Sequence, residues 1–448
     1  MESCIQPGTS DSAGGGVRSA RFRRTAALAA ACSLALTATA CGILGGSPEE
    51  DSAGVSGSVT WWDTSGEAEA PHFAELVAAF EKEYPDIDVE HVTVPFDQAQ
   101  QRFLDAVESG RDVPDVLRAD VGWTAGFAAD GHLADLTGTA ALDGDMSGFL
   151  PTTTASVTLE DGGVYGVPQV TDTLALLYNR RIFERAGISR PPSTWKDLKD
   201  TALKIKEETG AEGIVLNPDP FFSLPFLYGE ESDLVDVGSR SITVANAASV
   251  RGVSTAADLV ASGAAPEPPE EDAYAAMQNA FKSGEAAMMI NGPWATADIL
   301  SSPEFEDRGN LGIAAVPAGS TGTAGSPTGG HNLVVSAKSE NLDASYLFVR
   351  YMTEKEQQES TALTLGLLPT RTAAYTAKVL SDPVRDSFYL ALTKAVARPS
   401  LPEGGELFVA LQPHYTAILR GEETPRDGLA RTAEEWSARL LPGYRVEE

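Results

Sequence analysis

Hydrophobic and polar positions along this chain follow two periods, and the two take turns. Ser58 to Trp62 is a run of β-formers that stops at Asp63-Thr64-Ser65-Gly66, as a strand does when it meets a turn. Phe73, Leu76, Val77 and Phe80 then share one helical face, and Tyr84-Pro85 ends that helix. Ile87 to Val94 alternates as a second strand, and Ala99 to Val107 reads as a helix. Pro114-Asp115-Val116-Leu117 opens a third strand, with a further helix over Trp123 to Ala129. This β-α-β-α rhythm predicts a mostly parallel sheet with helices on both faces. Ligands of such sheets lie beyond the carboxyl ends of the strands, where Asp63 and Asp120 fall.

The middle of the chain changes character. Gly166-Val167-Pro168 leads to an apolar strand over Thr173 to Asn179. Ser193 or Thr194 caps a helix that runs through Ile205, and Ile214 to Leu216 is a short strand. Residues 217–228 form an aromatic, proline-studded loop. Phe281 to Ile290 leads to a loop at Asn291-Gly292-Pro293-Trp294. Gly325 to His331 reads as glycine-rich and flexible, beside a strand at Leu333 to Ser336. Tyr346 to Met352 is helical, and Leu367 to Arg371 is another break; no internal repeat is visible.

The N-terminus decides the compartment. Arg18, Arg21, Arg23 and Arg24 precede an apolar run from Ala26 to Ala35, then small residues up to Cys41-Gly42. A basic stretch, a short apolar stretch and small residues before a cleavage point describe an export signal, one too short and interrupted to span a membrane. Cys41, with small residues before it and a polar, flexible stretch after it, resembles a bacterial lipobox, although Ala38 stands where that motif usually has Leu. This implies a lipid anchor at Cys41 on the outer face of the cytoplasmic membrane; cleavage near Ala40 with release is the plainer alternative. All three cysteines, Cys4, Cys32 and Cys41, lie in or at the edge of the leader, so the body beyond holds neither a disulfide nor a thiolate metal site. About four hundred residues remain, enough for two lobes. A formal net charge of −31 argues against a nucleic-acid partner, because phosphate repulsion opposes binding, and fits a solvated, monomeric surface.

Seven motifs then occur in order: Val59-Thr60-Trp61-Trp62-Asp63, Pro114-Asp115-Val116, Tyr165-Gly166-Val167-Pro168, Leu177-Tyr178-Asn179, Asn291-Gly292-Pro293-Trp294, Gly329-Gly330-His331-Asn332 and Leu368-Pro369-Thr370-Arg371. Together they resemble the extracellular solute-binding proteins of carbohydrate ABC importers, and among these the maltose and maltodextrin-binding lipoproteins. The resemblance covers nearly the whole chain after the leader. It implies an α/β fold of two Rossmann-like lobes around a central ligand cleft, the type II periplasmic binding protein architecture. The expected spans are 1–41 for the signal peptide and 42–57 for a flexible linker. Lobe I takes 58–170 with 328–366, and lobe II takes 171–327 with 367–448. The implied function is capture of an oligosaccharide by closure of the cleft and delivery to the importer's membrane subunits, without cofactor or catalysis.

A sugar needs hydrogen-bond partners for its hydroxyls and flat apolar area for the C–H face of its ring. Asp63 follows a strand and can accept hydroxyl protons; the alternative is a turn or cap residue. Glu67 is a second carboxylate, or a charge in a first helical turn. Arg118 and Asp120 end the third strand and are either ligand contacts or a local ion pair. Trp123 either stacks on a ring or belongs to the core. Asp172 lies at the spacing from Tyr178-Asn179 at which the family carries an acidic sugar contact. Phe221 and Phe222 are consecutive and cannot both enter one core face; the family has an aromatic platform there. Trp294 follows Gly292-Pro293 in a loop, and the matching Trp of the family stacks on sugar; otherwise it packs the lobes. Gly329 and His331 bring backbone and an imidazole to the same region. Arg371 forks to two hydroxyls or makes an ion pair between lobes. Trp61 and Trp62 point to opposite faces of their strand, so at most one reaches a cleft.

Enzyme readings find less support. The acids are too numerous for any pair to single out a glycoside hydrolase. Neither Val55 to Val59 nor Ala318 to Gly322 supplies a nucleophile elbow, and His72, His91, His132, His331 and His414 are scattered rather than clustered for zinc. Trehalose and cyclodextrin remain alternatives to maltodextrin as ligand.

Overall fold

The computed structural model describes residues 54–142, 144, 146–159 and 162–447; the leader, Cys41 and linker residues 42–53 lie outside them. The early rhythm becomes β1 (Gly57–Asp63), α1 (Ala70–Glu83), β2 (Ile87–Thr93), α2 (Phe96–Ser109) and β3 (Val116–Asp120). Next come β4 (Val167–Thr173) and β5 (Ala175–Asn179), with α3 (Trp195–Thr209) behind them. Then follow β6 (Met288–Asn291), β7 (Leu311–Ala314) and β8 (Thr328–Val335). The chain closes through α4 (Leu342–Met352), β9 (Leu368–Pro369) and α5 (Gly404–Leu419).

Six strands form the larger sheet in the order β9-β4-β8-β3-β1-β2. β1 is parallel to β2 and β3, whereas β8 is antiparallel to both β3 and β4, and β9 is antiparallel to β4. The expected parallel direction therefore holds for β1 to β4. β8 runs against it because it re-enters the sheet after a detour through a second one. That second sheet, β6-β5-β7, is antiparallel throughout. Thr173 to Asn179 reads as one strand in the sequence but is split at Leu174. β4 belongs to one sheet and β5 to the other, so the chain passes between them at a single buried residue.

Alternation along β1 sets up the core. Val59 and Trp61 face Phe73 and Phe80 of α1 and Phe348 of α4, while Trp62 faces Phe103 of α2 and Phe127. Both tryptophans are buried, so neither lines an open surface. The second sheet packs Leu176, Leu177, Met288 and Met289 against Leu198 and Ile205 of α3 and against Tyr415 of α5. Thr194 caps α3 through its side chain, which accepts the Asp197 N–H.

The glycine-rich segment before Leu333 is a correction to the sequence reading. Thr328 to Val335 is one strand in the interior of the larger sheet, between β3 and β4. Its glycines meet demands of packing rather than of flexibility. Gly330 has φ 126°, and a Cβ there would stand 2.2 Å from the Val170 carbonyl oxygen. At Gly329 a Cβ would stand 2.3 Å from Asp172 Oδ1. The 217–228 segment is likewise more regular than expected, with a 3-10 turn over Pro220–Ser223 and a short helix over Leu224–Tyr228.

Candidate functional site

The strand-end residues of β3, β4 and β8 gather polar side chains at one place. Arg118 of β3 is buried; its Nε donates to Gln169 Oε1 at 2.9 Å, and its Nη2 stands 3.8 Å from Glu69 Oε2. Asp120 ends β3 and accepts from the Gly122 N–H at 2.7 Å and from Arg398 Nη2 at 3.0 Å. Arg398 also donates from Nε to the Thr328 carbonyl at 3.2 Å. Asp172 of β4 lies across the ladder from Gly329, and His331 of β8 lies across from Asp120. Several buried polar atoms here have no hydrogen-bond partner among the described residues: Glu69 Oε1, Gln169 Nε2, Asp172 Oδ1, Thr173 Oγ1, Thr328 Oγ1 and both ring nitrogens of His331. Each such atom costs about 1–3 kcal/mol, so their concentration in one spot marks a place where further hydrogen-bond partners would be stabilising.

Electrostatics follow from the crowding. Burial raises the pKa of Asp172 to about 7, with the neighbouring Asp120 adding to the rise and Arg398 and Arg118 opposing it. Burial also raises Glu69, against the pull of Arg118. His331 is held well below the usual imidazole range, first by burial and then by Arg118 and Arg398, so it is neutral and offers one donor and one acceptor.

Aromatic rings border this polar centre. The Arg398 guanidinium sits 5.2 Å over the Phe221 ring, and Phe221 lies 6.4 Å from Trp294. Trp294 Nε1 donates to the Tyr274 hydroxyl at 2.8 Å, and Tyr274 in turn meets Phe222. Trp123 stacks on Phe96 at 5.1 Å, and Phe96 meets His331 edge-on at 5.8 Å. Carboxylates, two arginines, a neutral imidazole and flat rings, contributed by strands of the larger sheet and by segments packed on the smaller one, form a set for binding hydroxyls and ring faces.

Comparison with known proteins gives the same direction. The family model described as bacterial extracellular solute-binding protein matches residues 64–359. The chain belongs to that family. Among solved structures, this solute-binding protein is similar to the GacH receptor of Streptomyces glaucescens, determined unliganded and with acarbose. The two share 46% sequence identity over 87% of this chain and 100% of that one, with a TM-score of 0.84. It is also similar to maltose-bound MalE3 of Thermotoga maritima, at 28% identity over 86% and 100% of the two chains and a TM-score of 0.77. The maltotriose-binding protein of Pyrococcus abyssi is 24% identical over 373 residues, 82% of this chain and 78% of that protein. The two-lobed type II fold expected from the sequence is thereby established, and the relatives are binding proteins rather than enzymes.

Within this solute-binding fold the residues singled out in the sequence divide into three groups. Arg118, Asp120, Trp123, Asp172, Phe221, Phe222, Trp294, Gly329 and His331 lie in or against the cluster just described. Asp63 stands behind it, fully buried. Its oxygens accept from the Ser65 N–H and hydroxyl at 2.9 and 2.6 Å and meet His91 Nε2 at 2.8 Å. Burial opposes its charge, but the bonds from His91 and Ser65 and the Arg118 charge prevail and hold its pKa low. Glu67 is exposed, and the buried carboxylate of that turn is Glu69. Arg371 lies elsewhere: its Nε donates to the Thr353 carbonyl at 2.7 Å and its guanidinium covers Phe149 at 4.2 Å. The arginine that joins Arg118 at the cluster is Arg398, which no strand-end pattern in the sequence marks. Among the described residues no group of three or more His, Cys, Asp or Glu could hold a metal ion, and no helix is long and apolar enough to cross a membrane.

Proposed function

We propose that this solute-binding protein is the capture component of an ABC sugar importer, and that it takes an α-glucan oligosaccharide of the maltose and maltodextrin type. The observation that carries the reading is the set of unpartnered buried polar atoms at the ends of β4 and β8, bordered by Phe221 and Trp294. Sugar hydroxyls complete those hydrogen bonds while the rings cover the C–H faces. Maltose bound to the Thermotoga protein, acarbose bound to the Streptomyces receptor and the maltotriose-binding name of the Pyrococcus relative support the same ligand class.

In this reading Asp120, Asp172, Arg118 and His331 hold hydroxyls, while Trp294 and Phe221 stack. Asp63 and Glu69 set the charge and orientation of Arg118. The lobes take 58–170 with 328–366, and 171–327 with 367–448, apart from residues 171–173 and 368–369, which hydrogen-bond into the larger sheet. The lobes close by rotation about the crossings, and the closed form docks on the importer's membrane subunits. The protein works as a monomer held at the outer face of the cytoplasmic membrane by lipid on Cys41. Calorimetric titration with maltose, maltotriose, trehalose and a cyclodextrin tests this. Binding of the linear α-glucans ahead of the others is the expected result, and no heat from any of them would sink it.

A further inference from the structure

Residues 398–406 lie where two separate cores meet. Leu401 and Leu407 anchor this segment in the core of the smaller sheet, with Leu411 of α5 behind them. The stretch opposite, 120–127, carries Trp123 and Phe127, which belong to the distinct core built on Phe103 of α2. The two stretches approach closely at their glycines. A Cβ added at Gly126, in the short helix Thr124–Ala129, would stand 2.4 Å from the Pro402 carbonyl oxygen. One at Gly404 would stand 3.1 Å from the Gly122 carbonyl oxygen, and one at Gly405 2.6 Å from Gln100 Nε2. Polar bonds flank these approaches: Arg398 Nη2 donates to Asp120 at 3.0 Å, and Gln100 Nε2 donates to Glu406 Oε1 at 3.4 Å.

None of these contacts needs a ligand, and none involves Leu174, where the chain passes from one sheet to the other. The seam is narrow and partly polar, the character of contacts that form and part as domains move rather than of a continuous core. Rotation about the crossings separates such a seam, because each stretch stays fixed in its own core. While the seam is made, it favours the closed arrangement whether or not the site is filled.

We infer that residues 398–406 and 120–126 form a clasp made only in the closed arrangement, which keeps part of the ligand-free chain closed and thereby raises its apparent affinity. The inference rests on the hinge closure of the proposed function and not on the identity of the sugar. Two variants outside the binding cluster test it. Gly126→Ala wedges a methyl group against Pro402, and Gln100→Glu sets a like charge against Glu406. Small-angle scattering of the sugar-free chain is expected to give a larger radius of gyration for Gly126→Ala than for the wild type. Gln100→Glu gives the same increase at low salt, and it fades at high salt as the charges are screened. Maltotriose binds Gly126→Ala about fivefold or more weakly, because the competent fraction is smaller. The Tm of sugar-free Gly126→Ala does not fall, since the open chain has no clash to relieve and alanine is the better helix former. An unchanged radius in both variants overturns the clasp, and so does a lowered Tm with unchanged radius and affinity, which would mark a permanent packing contact. If maltotriose does not bind the wild type, the oligosaccharide reading alone has failed, because the sugar-free radius still decides the clasp.

Discussion

Asp172 concentrates the electrostatic consequences at the scale of single residues. Its folded pKa of about 7 lies above the ordinary 3.8, so the folded chain holds this proton more tightly than the unfolded chain does. Stability is highest while the group is protonated in both states, below about pH 3.8, and is lost as pH climbs to about 7. Asp172→Asn removes that dependence. Thermal denaturation is expected to show a larger gain in Tm for the variant at pH 8 than at pH 4, and equal gains would contradict the assignment. On the proposed ligand role of Asp172, the same substitution is expected to weaken sugar binding, because an amide is a weaker acceptor than a carboxylate. On the proposed stacking role, Trp294→Ala is expected to weaken binding by at least ~1 kcal/mol, read directly from the dissociation constant. Residue identity was partly legible in the sequence. Trp294 and Asp172 stand out by loop and crossing position. Glu69 does not, because nothing in a single sequence tells whether Glu67 or Glu69 of one turn is turned inward. Arg398 lies in a segment without periodicity, and only the fold brings it to Asp120.

Among the elements, β8 carries the most consequence. Four of its first residues, Thr328 to His331, lie opposite β4 residues at the site, and the two glycines set how closely the strands and side chains approach. Gly330→Ala forces a side chain into a left-handed conformation and against the Val170 carbonyl. The expected cost is about 1–3 kcal/mol of stability, measurable by denaturant titration. At β1, Trp61→Ala empties a fully buried position between Phe73, His91 and Phe348, with an expected loss of about 3–5 kcal/mol by the same measurement. The alternation that buries Trp61 and Trp62 on opposite faces was plain in the sequence, as was the β-α-β-α opening. The glycine signal in β8 pointed to a loop instead. A flexible turn and a strand pressed against a carboxylate call for the same residue, and only the neighbours distinguish them.

For the whole molecule, the decisive feature is that one site draws on two sheets connected at few points. Leu174 is the only residue between β4 of the larger sheet and β5 of the smaller, and residues 315–327 lead back from β7 to β8. Such connections permit a hinge, and in the proposed reading a ligand held from both sides would favour the closed arrangement by its differential affinity. Small-angle scattering is expected to give a smaller radius of gyration on addition of maltotriose, and an unchanged radius would contradict hinge closure. The sequence made this architecture legible through the order of its motifs rather than through any one of them. Strand order and the return of β8 are long-range facts that local periodicity does not encode.

The most direct measurement is a crystal structure of the chain grown with maltotriose. The account predicts the sugar between the two sheets, its hydroxyls bonded to Asp172, Arg118 and His331 and one ring lying on Trp294. Sugar bound elsewhere, or between the sheets but away from Asp172 and Trp294, would contradict it.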